Sequence, residues 1–125
     1  MEPRKRFSSD QRIRRQATFK QLVEKGRFSR GEFFYLWVGS RVDTGQVKPK
    51  VKPMLGIIVS RKTDTRAVGR NVWKRRVREI FRKNQAMLHP EAVCLVKVRA
   101  IPKIPTSPDM ELDLIKLFKK AGVWA

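Results

Sequence analysis

The chain holds almost nothing that covalent chemistry needs. It has one cysteine, Cys94, in 125 residues, which excludes an internal disulfide and a metal site of the CxxC type. Cys94 lies in the apolar run AVCLVKV and reads as a small buried residue, consistent with a reducing compartment. The one histidine, His89, precedes a proline and has no nameable partner, so it reads as a surface residue rather than a general base. There is no Gly-rich phosphate loop, no HExxH and no nucleophile elbow. No apolar run reaches the about 18 residues of a membrane span. No apolar segment follows the charges of MEPRKRFSSDQRIRR, so no secretory signal is expected. Acids are also scarce: 11 Asp and Glu stand against 30 Lys and Arg, a formal charge of +19. The closest acidic group, Asp109, Glu111 and Asp113, falls at a predicted helix start, where capping accounts for it. No catalytic residue and no metal ligand is therefore assigned, and the sequence describes a binding protein.

What is present fits that description. The length suits one domain, and 41% hydrophobic residues suffice for a packed core. A folded domain so unbalanced in charge repels itself, and a polyanionic partner relieves the repulsion. Nucleic acid is the first candidate, an anionic membrane surface the competitor. Residues 1–9 read as a loose basic arm and 10–125 as a single domain. Ser9 or Asp10 offers a helix start. Ile13, Ala17, Phe19, Leu22 and Val23 then recur at helical spacing up to Gly26. EFFYLWVGS (32–40), MLGIIVSRK (54–62) and EAVCLVKVRA (91–100) read as strands, with a further short strand near Val47 to Val51. In the first of them, alternation puts Phe33, Tyr35 and Trp37 on one face and Phe34 and Leu36 on the other. IPKIPTSPDM reads as a non-helical connection, after which Asp109 caps a last helix ending at Gly122. The predicted fold is α+β: a small two-layer sandwich of about four strands and three helices in the order αβββαβα.

The most informative segment is GRNVWKRRVREIFRKN, residues 69–84. On a helical wheel Trp73, Val77, Ile80 and Phe81 fall within an arc of about 100°, the width of a core-facing stripe. Arg70, Lys74, Arg78 and Arg82, with Arg75 and Asn71, form a ridge on one flank. Arg76 and Lys83 lie on the other. Ten of the 30 cations lie between 61 and 83, opposed only by Asp64 and Glu79. Like charges four residues apart repel by a few tenths of a kcal/mol per pair, so a merely soluble helix would intersperse acids. Aromatic residues in the first helix and first strand offer stacking surfaces for unpaired bases, a common way of holding single-stranded RNA.

AVGRNVWKRRVREIFR resembles the signature helix of the protein subunit of bacterial ribonuclease P, matched at Arg70, Asn71, Lys74, Arg75, Arg78 and Glu79. RIRRQATFKQLVEKGRFSRGEFFYLW, LGIIVSRK, AVCLVKVRAIP and ELDLIKLF are similar to the family's other elements, so the likeness spans roughly residues 10 to 120. Val72, Trp73 and Val23 depart from its usual residues. The resemblance implies an unusual left-handed crossover through the basic helix, where the general rule is right-handed. It implies a cytoplasmic protein that binds the catalytic ribonuclease P RNA one to one, as a monomer, through Arg70, Asn71, Lys74, Arg75 and Arg78. It implies a cleft, matched by Phe19, Trp37 and Lys62, for the 5′ leader of precursor tRNA. It implies that the protein alone holds no cofactor, and that magnesium belongs to the RNA holoenzyme, whose RNA would cut the leader. The alternative is a ribosomal-type structural RNA binder. A major-groove DNA binder lacks a helix-turn-helix or a dimerisation heptad, and an autonomous nuclease lacks the acids to hold metal.

Overall fold

The structure is a computed structural model and describes residues 12–13, 16–40, 52–101 and 103–124. The basic arm at 1–9, the helix start at Ser9 or Asp10 and the strand near Val47 to Val51 lie outside the described residues. The elements are α1 (Gln16–Lys25), β1 (Arg27–Arg30), β2 (Phe34–Ser40), β3 (Met54–Ile58), α2 (Ala67–Asn84), a 3₁₀ turn (Gln85–Met87), β4 (Ala92–Val98) and α3 (Ser107–Lys120). Three helices and a four-stranded sheet thus follow in the predicted order. The strands lie in the order β1-β2-β4-β3. β1–β2 and β2–β4 pair antiparallel, whereas β3 and β4 pair parallel. Parallel neighbours need a long crossover, and α2 supplies it.

β4 is covered on both faces, which is why it is apolar almost throughout. Even-numbered Ala92, Cys94, Val96 and Val98 join Phe34, Leu36, Val38 and Leu55 on the face that packs against α2 and α3. Trp73, Val77, Ile80 and Phe81 are all buried there, as the stripe predicts. The Trp73 ring meets Phe34 edge-on, with centroids 5.8 Å apart. Odd-numbered Val93 and Leu95 join Met54, Ile13 and Leu22 in a second, smaller cluster under α1. Cys94 is buried, and burial pushes its thiol up to about 12. His89 is exposed and tied into the chain: its backbone N–H donates to the Val123 carbonyl at 2.8 Å, and its Nδ1 accepts from Glu91 N–H at 3.2 Å.

Several local expectations are corrected. β1 is a strand that the residues did not announce. Phe33 precedes β2 rather than belonging to it, and it packs with the α2–α3 core instead of sharing a face with Tyr35 and Trp37. β3 stops at Ile58, and residues 61–63 turn. α3 starts at Ser107, with the Thr106 hydroxyl accepting from Asp109 N–H at 3.3 Å and Pro108 in the first turn. Proline there costs nothing, because its missing N–H would have had no helical partner. Asp113 does no capping. Its carboxylate accepts from the backbone N–H groups of Glu32 (2.9 Å) and Phe33 (3.0 Å), fastening α3 to the β1–β2 turn.

Candidate nucleic-acid interface

α2 carries the candidate RNA-contacting residues, and the loop before it sets the helix. Asp64 Oδ1 accepts from Arg66 N–H at 2.9 Å, and Arg66 Nε and Nη2 each reach the same carboxylate at 3.2 Å. These hydrogen bonds from Arg66 hold the Asp64 carboxyl below the usual carboxylate range. Arg70 Nη1 then donates to the Asp64 and Thr65 carbonyls, both at 3.0 Å, so this guanidinium braces the loop as well as opening the ridge.

The acids of the region are spent on the flanks. Arg82 is paired with Glu79, whose carboxyl is lowered by that hydrogen bond. Lys83 pairs with Glu111 at 3.3 Å, and Arg76 Nη1 donates to the Pro105 carbonyl at 2.8 Å. None of the described carboxylates forms an ion pair with Lys74, Arg75 or Arg78. Asn71 and Arg75 are exposed, and Lys74 and Arg78 are half-buried. Burial and then the nearby Arg12 lower the affinity of Arg78 for its proton. Arg12 bridges to Leu55 beside β3, and Ile13 N–H donates to the Leu55 carbonyl at 3.1 Å. The cationic ridge therefore runs off α2 toward the edge of the sheet, and Arg12 was not foreseen there. Val72, expected to point away from the core, is half-buried.

At that edge α1 lies over the sheet. The Phe19 ring rests on the β3 backbone at Gly56, where a Cβ would come within 2.5 Å of its Cε1, so the approach needs glycine. Phe19, Trp37 and Ile58 are half-buried around the α1 cluster. Phe19 and Trp37 thus border the same apolar cluster. Lys62 is exposed in the turn after β3 and lines a separate depression with Trp73, Ile101 and Ile104. Its turn is anchored by Thr63, whose hydroxyl donates to the Val98 carbonyl at 3.3 Å. Val23 is exposed on α1.

Beyond α1 the sheet face stays open. Phe28 of β1 stands opposite Trp37, with ring centroids 5.1 Å apart, and 5.7 Å from the Tyr35 ring. The Arg99 guanidinium sits 5.4 Å from the Tyr35 centroid. The three rings of this face are thus Phe28, Tyr35 and Trp37. Alternation in the sequence marks Tyr35 and Trp37, whereas Phe28 lies on β1, a strand without an apolar pattern. Among the described residues no three His, Cys, Asp or Glu gather closely enough to hold a metal ion, and no helix is long and apolar enough to cross a membrane.

Comparison with known proteins gives this architecture a family. The family profile described as Ribonuclease P matches residues 7–122. The ribonuclease P protein component of Pseudanabaena sp. is 30% identical over 112 residues, covering 90% of this chain and 91% of that protein. That of Xanthomonas oryzae is 32% identical over 124 residues, covering 96% and 77%. Among solved structures, the Staphylococcus aureus RNase P protein superimposes with a TM-score of 0.77 at 27% identity, over 92% of this chain and 98% of that one. The Thermotoga maritima protein gives 0.70 at 26% identity, over 87% and 96%. Sequence and fold agree, and the chain belongs to the family of ribonuclease P protein components.

Proposed function

We propose that this chain, as a ribonuclease P protein component, binds the catalytic RNA through the α2 ridge and holds the 5′ leader of precursor tRNA across the sheet face. The observation that carries the reading is the ridge itself. Lys74, Arg75 and Arg78 have no described carboxylate partner, although Glu79, Glu111 and Asp64 each pair with a cation nearby. Buried Trp73, Val77, Ile80 and Phe81 fix the orientation of the same helix. A rigid helix presents these charges without further ordering cost, and neutralising RNA phosphates releases their counterions. Asn71 adds a donor and an acceptor that suit a 2′-hydroxyl or a phosphate.

The leader then lies beside Phe19 and Trp37. Base–aromatic stacking contributes about 1–3 kcal/mol per base with little sequence preference. Only the precursor has a leader, so this surface distinguishes substrate from product. The hydrolysis belongs to the RNA subunit, with magnesium held there. The protein lowers repulsion between two RNAs and positions one strand, working in the cytoplasm as one copy per RNA. Lys62, displaced from the two rings, is assigned to the path between ridge and leader.

Reconstitution with a bacterial ribonuclease P RNA at low magnesium tests the reading. The protein is expected to raise cleavage of precursor tRNA and to tighten binding of precursor over mature tRNA. Equal binding of the two with no gain in cleavage overturns it.

A further inference from the structure

The β1–β2 end of the sheet carries two rings, Phe28 and Tyr35, that belong to neither core cluster. Phe28 is 53% exposed, and its strand turns only Ser29 inward. Its ring nonetheless joins a platform on one sheet face, beside Tyr35 and Trp37, whose centroids are 6.2 Å apart. Cations surround that platform. Tyr35 stands between Arg30 on β1 and Lys97 on β4 in the sheet register, and alternation puts both on the same face as its ring. Arg99 lies over the ring, with Nη1 donating to the Gly31 carbonyl at 2.8 Å and to that of Glu32 at 3.2 Å. None of the described carboxylates pairs with Arg30, Lys97 or Arg99. The turn fixes Arg99 through carbonyls and leaves its charge uncompensated.

We propose that Phe28, Tyr35 and Arg99 form a further stacking site for unpaired nucleotides, one that carries the leader past Trp37 to the outer edge of the sheet. This rests on the leader reading above and extends it to residues of β1 and the end of β4. An exposed Phe28 ring beside a half-buried Tyr35, among cations that no described carboxylate pairs, matches bases flanked by phosphates. An apolar protein partner would leave Arg30, Lys97 and Arg99 facing it without counter-charges.

The test uses the reconstituted holoenzyme and precursor tRNAs with leaders of graded length, read as equilibrium binding at fixed magnesium. With the unaltered protein, affinity keeps rising with leader length after the strand is long enough to reach Trp37. Phe28→Ala removes that later gain, about fivefold or more for one stacked base, and leaves short-leader and mature tRNA unaffected. Phe28→Tyr retains the gain, and Arg99→Gln loses part of it together with some salt sensitivity. If Trp37→Ala weakens leader binding but Phe28→Ala and Arg99→Gln change nothing at any length, the outer site is overturned and the leader reading stands. Should none of these three variants alter the preference for precursor, the leader reading itself fails. Equal loss for every substrate, mature tRNA included, assigns Phe28 to folding or to another contact and also overturns the outer site. Thermal melting of each variant separates these last two.

Discussion

Asp113 shows how much one residue does for this fold. Its two oxygens satisfy the N–H groups of Glu32 and Phe33, at a site where Asp113 itself is almost fully buried. Gly31 makes room for it, since a Cβ there would come within 2.6 Å of the carboxylate. The turn so fixed supplies the Gly31 and Glu32 carbonyls that hold Arg99. Asp113→Ala strands two N–H donors beneath α3, and hydrogen bonds to a charged acceptor are worth more than neutral ones. A loss of about 2–3 kcal/mol is expected. Denaturant unfolding should show a lower midpoint with an unchanged slope. Asp113→Asn should lose less, because one carbonyl oxygen still accepts. If Asp113→Ala is as stable as the parent, the carboxylate is not the clamp that the geometry describes.

At the scale of elements, α2 separates into two faces with opposite mutational signatures. Trp73 and Val77 are buried against the sheet, so truncating Trp73 to alanine should cost about 3–5 kcal/mol. Arg75 is exposed, and Arg78 is half-buried against a like charge, Arg12. Arg75→Ala and Arg78→Ala should therefore leave the melting temperature nearly unchanged while weakening binding to ribonuclease P RNA severalfold. A large fall in melting temperature for either would merge the two faces into one. This helix was legible in the sequence because its apolar residues recur at three and four, a period set by the backbone itself. Its cations were legible for the same reason, and so was the pairing of Arg82 with Glu79 three residues before it. Which cations meet Glu111 or Pro105 depends on elements distant in sequence.

Other elements were hidden for physical reasons. RFSR becomes β1 through pairing with β2, the Asp113 clamp and a hydrogen bond from Arg27 Nη1 to the Ala121 carbonyl at 3.1 Å. All three are tertiary, and a strand with one small inward side chain shows no alternation of apolar residues to read. Phe28 was lost with that strand. Phe33 was misplaced because an aromatic run carries no mark of where pairing begins. The start of α3 was misread because Pro108 breaks a helix interior yet suits a first turn. Phe19 and Trp37 were candidates through resemblance to the family alone, and the close approach of Phe19 to Gly56 was visible only in three dimensions.

For the whole molecule, charge makes one quantity move in two directions. With 30 cations against 11 acids, the folded chain confines repulsion that the expanded chain relaxes, and added salt screens it. Stability should therefore rise with salt over the range in which surface charges still interact. Affinity for RNA should fall over that same range, because the release of counterions by bound phosphates becomes less favourable. Six phosphate contacts would give a slope of log K against log salt of roughly −4 to −5, a loss of about 250- to 1,000-fold between roughly 50 and 200 mM. Arg75→Ala, by removing one phosphate contact, should flatten the slope by about one without changing the salt dependence of stability appreciably. A protein held to RNA chiefly by base stacking would show a shallow slope that Arg75→Ala does not change. Thermal melts and RNA titrations across one salt series distinguish the two, and parallel rises in stability and affinity would remove electrostatics as the basis of binding.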